Sequence, residues 1–275
     1  MKAIKHILLL FSISLLFTTA CGKDDDDEKT CMDPSNPKCA NYDPCFGVKP
    51  PSAEFTIQES YRRTFPPPTE WLWTPDDSIF VAHSNIRFSS PYTDNKYKHT
   101  WYLGAEVIHD ASFTRDHGGI SDDQRPYHIT VSHVIEYPLD NECYANATGK
   151  DSVARTYTLI KHLDELKTFG VYRGAFEGQR DSFDFAIRAF HANGGRAIRD
   201  DPTTTYFINF HNEGDTLFQS VAFRNRIVTI IQSFGPRGLL QIEPNSNQFT
   251  LEYRHLEKGG DWDNYTVRGR KLNLK

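Results

Sequence analysis

The sequence predicts an all-β protein: a β-sandwich over residues 50–165, then a second antiparallel barrel or sandwich of about eight strands over 169–275. Three observations carry this prediction. Apolar residues recur with period 2 in short runs rich in β-branched and aromatic side chains, the pattern of half-buried strands. Clusters of Asn, Asp, Ser and Pro separate those runs and supply turns. No window sustains the 3.6-residue period of an amphipathic helix. Aromatic residues make up 13% of the 275 residues, which excludes a wholly disordered chain. The formal net charge of −5 and pI of about 6.1 speak against a dedicated nucleic-acid binder, so no nucleic-acid partner is expected.

Residues 1–20 read as a secretory leader. Lys2 and Lys5 precede the apolar run Ile7–Phe17, and Thr18-Thr19-Ala20 leads to a break before Cys21. The run is too short for a membrane span, which needs roughly 20 apolar residues. The break before a cysteine resembles the lipobox of bacterial lipoproteins. Thr19 and Ala20 are small, as that motif requires, while Thr18 stands where many lipoboxes carry Leu. The resemblance implies acylation of Cys21 and anchoring in outer-membrane lipid. The run Lys23-Asp24-Asp25-Asp26-Asp27-Glu28 resembles the acidic export tag of surface lipoproteins in some Gram-negative bacteria, which implies a protein facing the cell exterior. The plainer readings are an ordinary cleaved signal and a solvated charge run. Residues 22–46 hold seven acids and three lysines. The acidity therefore belongs mainly to this segment, and it implies no cationic ligand for the body.

The segment 21–49 reads as an acidic, Cys- and Pro-rich tether. With Cys21 set aside for lipid, Cys31, Cys39, Cys45 and Cys143 remain, an even set in an exported chain, so two disulfides are expected. Three pairings are possible. The favoured one joins Cys31 to Cys39 in a local loop and Cys45 to Cys143 as a staple. The spacing lacks the paired C-x2-C knuckles of structural zinc, and no metal is expected. Asp33, Asn36, Asn41 and Asp43 lie among prolines. They suggest a stiff spacer built on Asx turns, with calcium ligation as the alternative.

In the first domain Phe55 and Ile57 alternate, as do Ile86 and Phe88, and Ile129, Val131, His133 and Ile135. Residues 89–95 and 140–143 are turn clusters. The stretch His162–Lys167 offers one helical turn at most and reads as a hinge between domains. The cluster His99-Thr-Trp101-Tyr-Leu-Gly104-Ala-Glu106, followed by Tyr127-His-Ile129-Thr-Val131, resembles the PKD family of immunoglobulin-like sandwiches. Trp101 and Gly104 match the family's tryptophan and glycine, whereas Tyr102, Ala105 and Glu106 depart from its usual Asp, Asp and Gly. The resemblance implies a sandwich with Trp101 in its core.

In the second domain the alternating runs are Val171–Phe176, Phe183–Ile187, Tyr206–Phe210, Leu217–Phe223, Ile227–Ile231, Leu239–Glu243, Phe249–Tyr253 and Tyr265–Leu272. Such spacing suggests a closed or paired antiparallel sheet. Its opening Gly170-Val-Tyr-Arg-Gly174 and closing Tyr265–Leu272 look similar to small lipocalin-like barrels of bacterial lipoproteins.

The sequence carries no H-E-x-x-H, G-x-S-x-G, P-loop or Rossmann motif. Asp181 with Asp184, or Asp261 with Asp263, could pair as carboxylates, but nothing fixes their separation. His128 and His133 fall on opposite faces of one strand. We therefore expect a non-catalytic protein without cofactors. The strongest binding signal is Trp71 with Trp73, which follow Pro66-Pro67-Pro68 and point the same way in an extended segment. The prolines suggest a stiff edge loop. Rigid aromatic pairs can stack on sugars at low entropic cost, or they can cover a sandwich edge. Trp262, beside Gly259-Gly260, is a further candidate. The expected function is glycan binding. The alternatives are a structural subunit that binds another envelope protein, and a small-molecule carrier lined by residues such as Phe185, Ile208 and Leu251. Asp77-Ser78-Ile79, Asp151-Ser152-Val153 and Asp215-Thr216-Leu217 resemble the acceptor tripeptide of a bacterial O-glycosylation system.

Overall fold

The computed structural model describes residues 31–81, 85–117, 126–139, 142–144, 147–160, 162, 165–191, 204–210, 221–231, 237–256 and 262–272. The leader, Cys21 and the run Lys23–Asp27 lie outside them. The chain divides into two compact units: Met1–Pro50 with Leu139–Ala147, and Pro51–Pro138 with Thr148–Lys275.

The smaller unit is a chain of tight turns. Asp33 Oδ1 accepts the Ser35 amide at 2.9 Å, Asn36 Oδ1 the Lys38 amide at 3.0 Å, and Asp43 Oδ1 the Cys45 amide at 2.8 Å. These are Asx turns, the local structure of a stiff spacer. The two hydrogen bonds from Ser35 hold the Asp33 carboxyl below its usual range. Cys31 is bonded to Cys39 and Cys45 to Cys143, with Cα–Cα distances of 4.9 and 5.2 Å. This is the favoured pairing of the three.

The larger unit is all β. Its first part has β1 (Thr56–Arg63), β2 (Glu70–Trp73), β3 (Ile79–Val81), β4 (Asn85–Ser89), β5 (Lys98–Leu103), β6 (Glu106–Ile108), β7 (Ser112–Asp116), β8 (Tyr127–Glu136) and β9 (Lys150–Ile160). They form a four-stranded sheet, β2-β1-β4-β7, and a five-stranded sheet, β3-β9-β8-β5-β6. All described pairs are antiparallel except β3 with β9. Between the sheets lie Phe55, Ile57, Phe80, Ile86, Phe88, Trp101, Val131, Tyr157 and Leu159. Trp101 is fully buried, as read from the sequence. Its indole donates to the Asp110 carbonyl at 2.6 Å, and its ring stacks on His133 at 3.8 Å. Gly104 turns the β5–β6 hairpin with φ of +61°, which glycine adopts without a Cβ penalty.

The second part is one antiparallel sheet built from β10 (Gly170–Phe176), β11 (Ser182–His191), β12 (Thr204–Phe210), β13 (Val221–Phe223), β14 (Ile227–Ile231), β15 (Arg237–Ile242), β16 (Gln248–Leu256) and β17 (Trp262–Leu272). Its order is β12-β11-β10-β17-β16-β15-β14-β13, an open half-barrel among the described residues. The inner face collects Tyr172, Phe185, Ile187, Val228, Ile230, Leu240, Phe249, Leu251 and Val267. Tyr172 stacks on Phe185 at 5.1 Å, and Phe249 meets both rings edge-on.

The two parts share a buried seam. Ile79, Val81 and Ile160, at the ends of β3 and β9, pack into the half-barrel core. On the other face of β14 and β15, Ile227 and Leu239 pack against Tyr61 and Leu72. The residues Ile227–Ile230 are consequently buried on both faces, which accounts for three aliphatic side chains in a run of four, with Thr229 also buried. Polar contacts tie the seam further. Arg224 Nε lies 3.2 Å from Glu59 Oε1 and donates to the Ser60 carbonyl at 2.8 Å, with both side chains almost wholly buried. Asp77 Oδ2 accepts from Asn225 at 2.8 Å and Arg226 at 2.9 Å. The stretch read as a hinge is fastened here. The Lys167 amide donates to Asn225 Oδ1, and the Thr168 hydroxyl donates to the Arg224 carbonyl.

Candidate functional site

The outer face of the four-stranded sheet carries the sequence's leading candidates. Residues 64–69 hold three prolines, two of them after cis peptide bonds, and the chain then enters β2. Trp71 and Trp73 therefore sit on an edge strand and not in a loop. An edge strand tolerates nearby prolines because one of its sides lacks a ladder. The register pairs Trp73 with Ser60 and Trp71 with Arg62. Both indoles thus share one face with the even-numbered residues of β1. The odd-numbered residues Ile57, Glu59 and Tyr61 turn inward.

The two tryptophans are not equivalent. Trp71 is 69% exposed. Trp73 is half-buried, because the Arg87 guanidinium from β4 lies over its ring at 4.5 Å. Arg87 reaches across β1 to do so, and the small Ser60 side chain beneath leaves the space. Arg87 Nη2 donates to Gln58 Oε1 at 2.6 Å, and Gln58 Nε2 donates to the Thr74 carbonyl at 2.8 Å. Burial lowers the Arg87 pKa from its ordinary value, yet an arginine keeps its charge over any accessible pH. Its buried Nε has no hydrogen-bond partner. Arg62, beside Trp71, is exposed. Thr56, Asn85, Ser112, Thr114 and Asp116 complete a polar face around the indoles.

Trp262 is 41% exposed and opens β17, with Arg254 of β16 at 4.8 Å over its ring. It too is a strand residue, although the neighbouring glycines suggested a loop. Asp184 is held in a two-point ion pair by Arg173, at 2.7 and 2.8 Å, and Asp261 lies outside the described residues. His128 is exposed and His133 buried, on opposite faces as expected. Among the described residues, no group of three or more His, Cys, Asp or Glu could hold a metal ion.

Of the proposed carrier-lining residues, Phe185 and Leu251 are buried in a packed aromatic interior, while the side chain of Ile208 lies outside the described set. Ser78 and Ser152 are exposed, Ser152 in mid-strand, and Thr216 lies outside the described residues.

The sequence reading missed Arg62, Arg87 and Gln58. Period 2 in β1 places Arg62 and Gln58 on the polar face, but only the register of three strands brings Arg87 to Trp73. No protein-family model, curated protein or solved structure matches the chain.

Proposed function

We propose that this is a non-catalytic surface lipoprotein, anchored in the outer membrane through Cys21, that binds extracellular glycan on the outer face of its four-stranded sheet. The observation that carries the reading is the exposed Trp71 beside Arg-braced Trp73 on a face otherwise lined by amides, hydroxyls and guanidinium groups. A sugar offers apolar C–H faces with polar hydroxyls at its rim. An indole on a sheet, flanked by hydrogen-bonding side chains, matches both halves of that surface. Because Trp73 is already packed on Arg87, it loses little freedom when a ligand arrives.

Two features weigh against the alternatives. On the larger unit the exposed large apolar residues are spread over several strands, with Trp71 on β2, the register partners Tyr102 and Val107 on β5 and β6, Tyr127 on β8 and Trp262 on β17, while Met32, Tyr42, Phe46, Val48 and Leu139 belong to the smaller unit. A protein interface would favour a contiguous patch. The described interior of the half-barrel is filled by Tyr172, Phe185 and Phe249, where a carrier needs space.

The test is affinity electrophoresis of the full chain in non-ionic detergent through gels that contain soluble polysaccharides. The parent should be retarded by at least one of them. Trp71→Ala should weaken that retardation at least tenfold, about 1.4 kcal/mol, with an unchanged circular dichroism spectrum. Equal retardation of parent and variant would remove Trp71 from the site.

A further inference from the structure

We infer that the glycan recognised on the Trp71–Trp73 face is acidic, carrying carboxylate or sulfate groups on its sugars; this rests on the glycan-binding reading above. The argument begins with charge. The whole chain is net negative, at −5, so an acidic polymer is repelled at long range. The face around the tryptophans is the reverse. Arg62 and Arg87 point outward on it, one beside each indole.

Neither Arg62 nor Arg87 has a carboxylate partner among the described residues. By contrast, Arg63, on the opposite face of β1, is paired with Glu70, and Arg155 with Asp76 at 2.9 Å. The titratable groups that share the outer face can be named strand by strand. β2 adds none, since it presents Trp71 and Trp73 there, β1 adds Arg62 alone, β4 adds Arg87 alone, and β7 adds Asp116. Asp116 pairs in register with Asn85 on the edge strand next to β4, diagonal to Arg87, but the Arg87 guanidinium is turned the other way, over Trp73. The local balance is therefore positive where the indoles stand.

The geometry also suits an acidic sugar. Cross-strand partners on one face of an antiparallel pair have Cβ atoms about 5 Å apart. A pyranose stacked on the Trp71 indole would place a ring substituent within reach of the Arg62 fork. Guanidinium binds carboxylate or sulfate through two parallel N–H donors. Arg87 is preset by Trp73 and Gln58, and its buried Nε is left without a partner. The described face therefore offers one braced cationic fork, Arg87, and one exposed one, Arg62, beside two aromatic rings.

The test compares matched ligands that differ only in charge. The full chain in non-ionic detergent is run against polygalacturonate, alginate and dextran sulfate, and against fully methyl-esterified polygalacturonate, propylene-glycol-esterified alginate and dextran. At least one acidic polymer should bind tenfold or more tightly than its neutral counterpart, with affinity falling as salt is raised. Arg62→Gln is exposed and should fold normally. It should bring the two affinities within about twofold. Gln58→Glu is a second variant that sets a carboxylate beside Arg87, and it should weaken acidic binding while sparing neutral binding. If neutral and acidic forms bind equally and Trp71→Ala abolishes both, the glycan reading stands and the acidic specificity is wrong. If acidic binding persists in Arg62→Gln and Gln58→Glu, the arginines do not carry it. If no polymer binds, the glycan reading itself falls, and if binding ignores Trp71 the site lies off this face; either result takes this inference with it.

Discussion

His99 and His133 show how a sequence signal acquires meaning only inside a core. His133 Nδ1 donates to the Ala53 carbonyl at 2.7 Å, and His99 Nδ1 meets His133 Nε2 at 3.1 Å. The carbonyl can only accept, so Nδ1 of His133 carries the proton and its Nε2 accepts from His99. Both rings are buried, and His133 is stacked on Trp101. Burial lowers the pKa of each below the ordinary histidine value of 6.5, as it does for His117, whose Nε2 lies 2.6 Å from the Tyr157 hydroxyl. The sign follows from linkage. Above pH 6.5 neither folded nor unfolded chain protonates these groups. Below it the unfolded chain takes up protons that the folded chain refuses, so the folded state loses stability as pH falls. Urea midpoints should thus be level between pH 8 and 7 and decline from pH 6.5 to 5.5. A midpoint that held or rose over that interval would contradict the assignment. The sequence pointed to His133 as a core-facing strand residue, but its partner, 34 positions away, could be identified only from the β5–β8 register.

Whether an element could be read from sequence depended on whether its pattern was clean. All eight strands of the half-barrel lie on runs that the sequence marks as strands; in β16, for example, Phe249, Leu251 and Tyr253 are buried while Thr250, Glu252 and Arg254 reach solvent. In the sandwich, β9 was obscured by Arg155, which occupies a core-facing position between Val153 and Tyr157. It escapes the core at the rim, where it pairs with Asp76, donates to the Phe55 carbonyl and lies 5.3 Å over the Phe55 ring. A hydrophobic count scores such a residue as polar, although its stem packs like a core residue. β2 was obscured by the prolines that precede it. The glycines of the half-barrel are a different case. Gly174 and Gly269 are cross-strand partners of β10 and β17, and Phe249 of β16 lies in register with Gly269. A Cβ at Gly174 would stand 2.8 Å from Val267 and 2.9 Å from Phe249, and one at Gly269 would fall against the Arg173 carbonyl. The strands approach this closely because no side chain intervenes. Gly269→Ala should therefore cost about 1–3 kcal/mol or more by overpacking, read as a lowered urea midpoint. A neutral outcome would mean that the sheet can open here without penalty.

At the scale of the whole molecule, the sandwich and the half-barrel read as separate domains in sequence because each has its own alternating strands and its own aromatic cluster. The seam was not legible, since its apolar residues sit on strands that each part already claims and its polar residues look like surface. Glu59, Asp77, Arg224, Asn225 and Arg226 resemble an ordinary hydrophilic turn and strand until the fold buries them together. Burying the Glu59–Arg224 pair carries a desolvation cost that only good geometry offsets. Arg224 meets that condition by donating also to the Ser60 and Phe223 carbonyls. Removing one partner leaves the other buried and charged, typically a loss of about 3–5 kcal/mol. Arg224→Ala should show a loss of this order in urea melts, whereas Glu59→Leu/Arg224→Leu should recover much of it, because an apolar pair demands no compensation. The same seam predicts how the larger unit unfolds. Amides of β8 and β9 in the sandwich and of β16 and β17 in the half-barrel should lose hydrogen-exchange protection at the same urea concentration, as one cooperative event. Two separate transitions in the parent would mean that the seam contributes little. In that case the Trp71–Trp73 face would belong to a sandwich that stands alone, without the support that Tyr61 and Leu72 draw from Ile227 and Leu239.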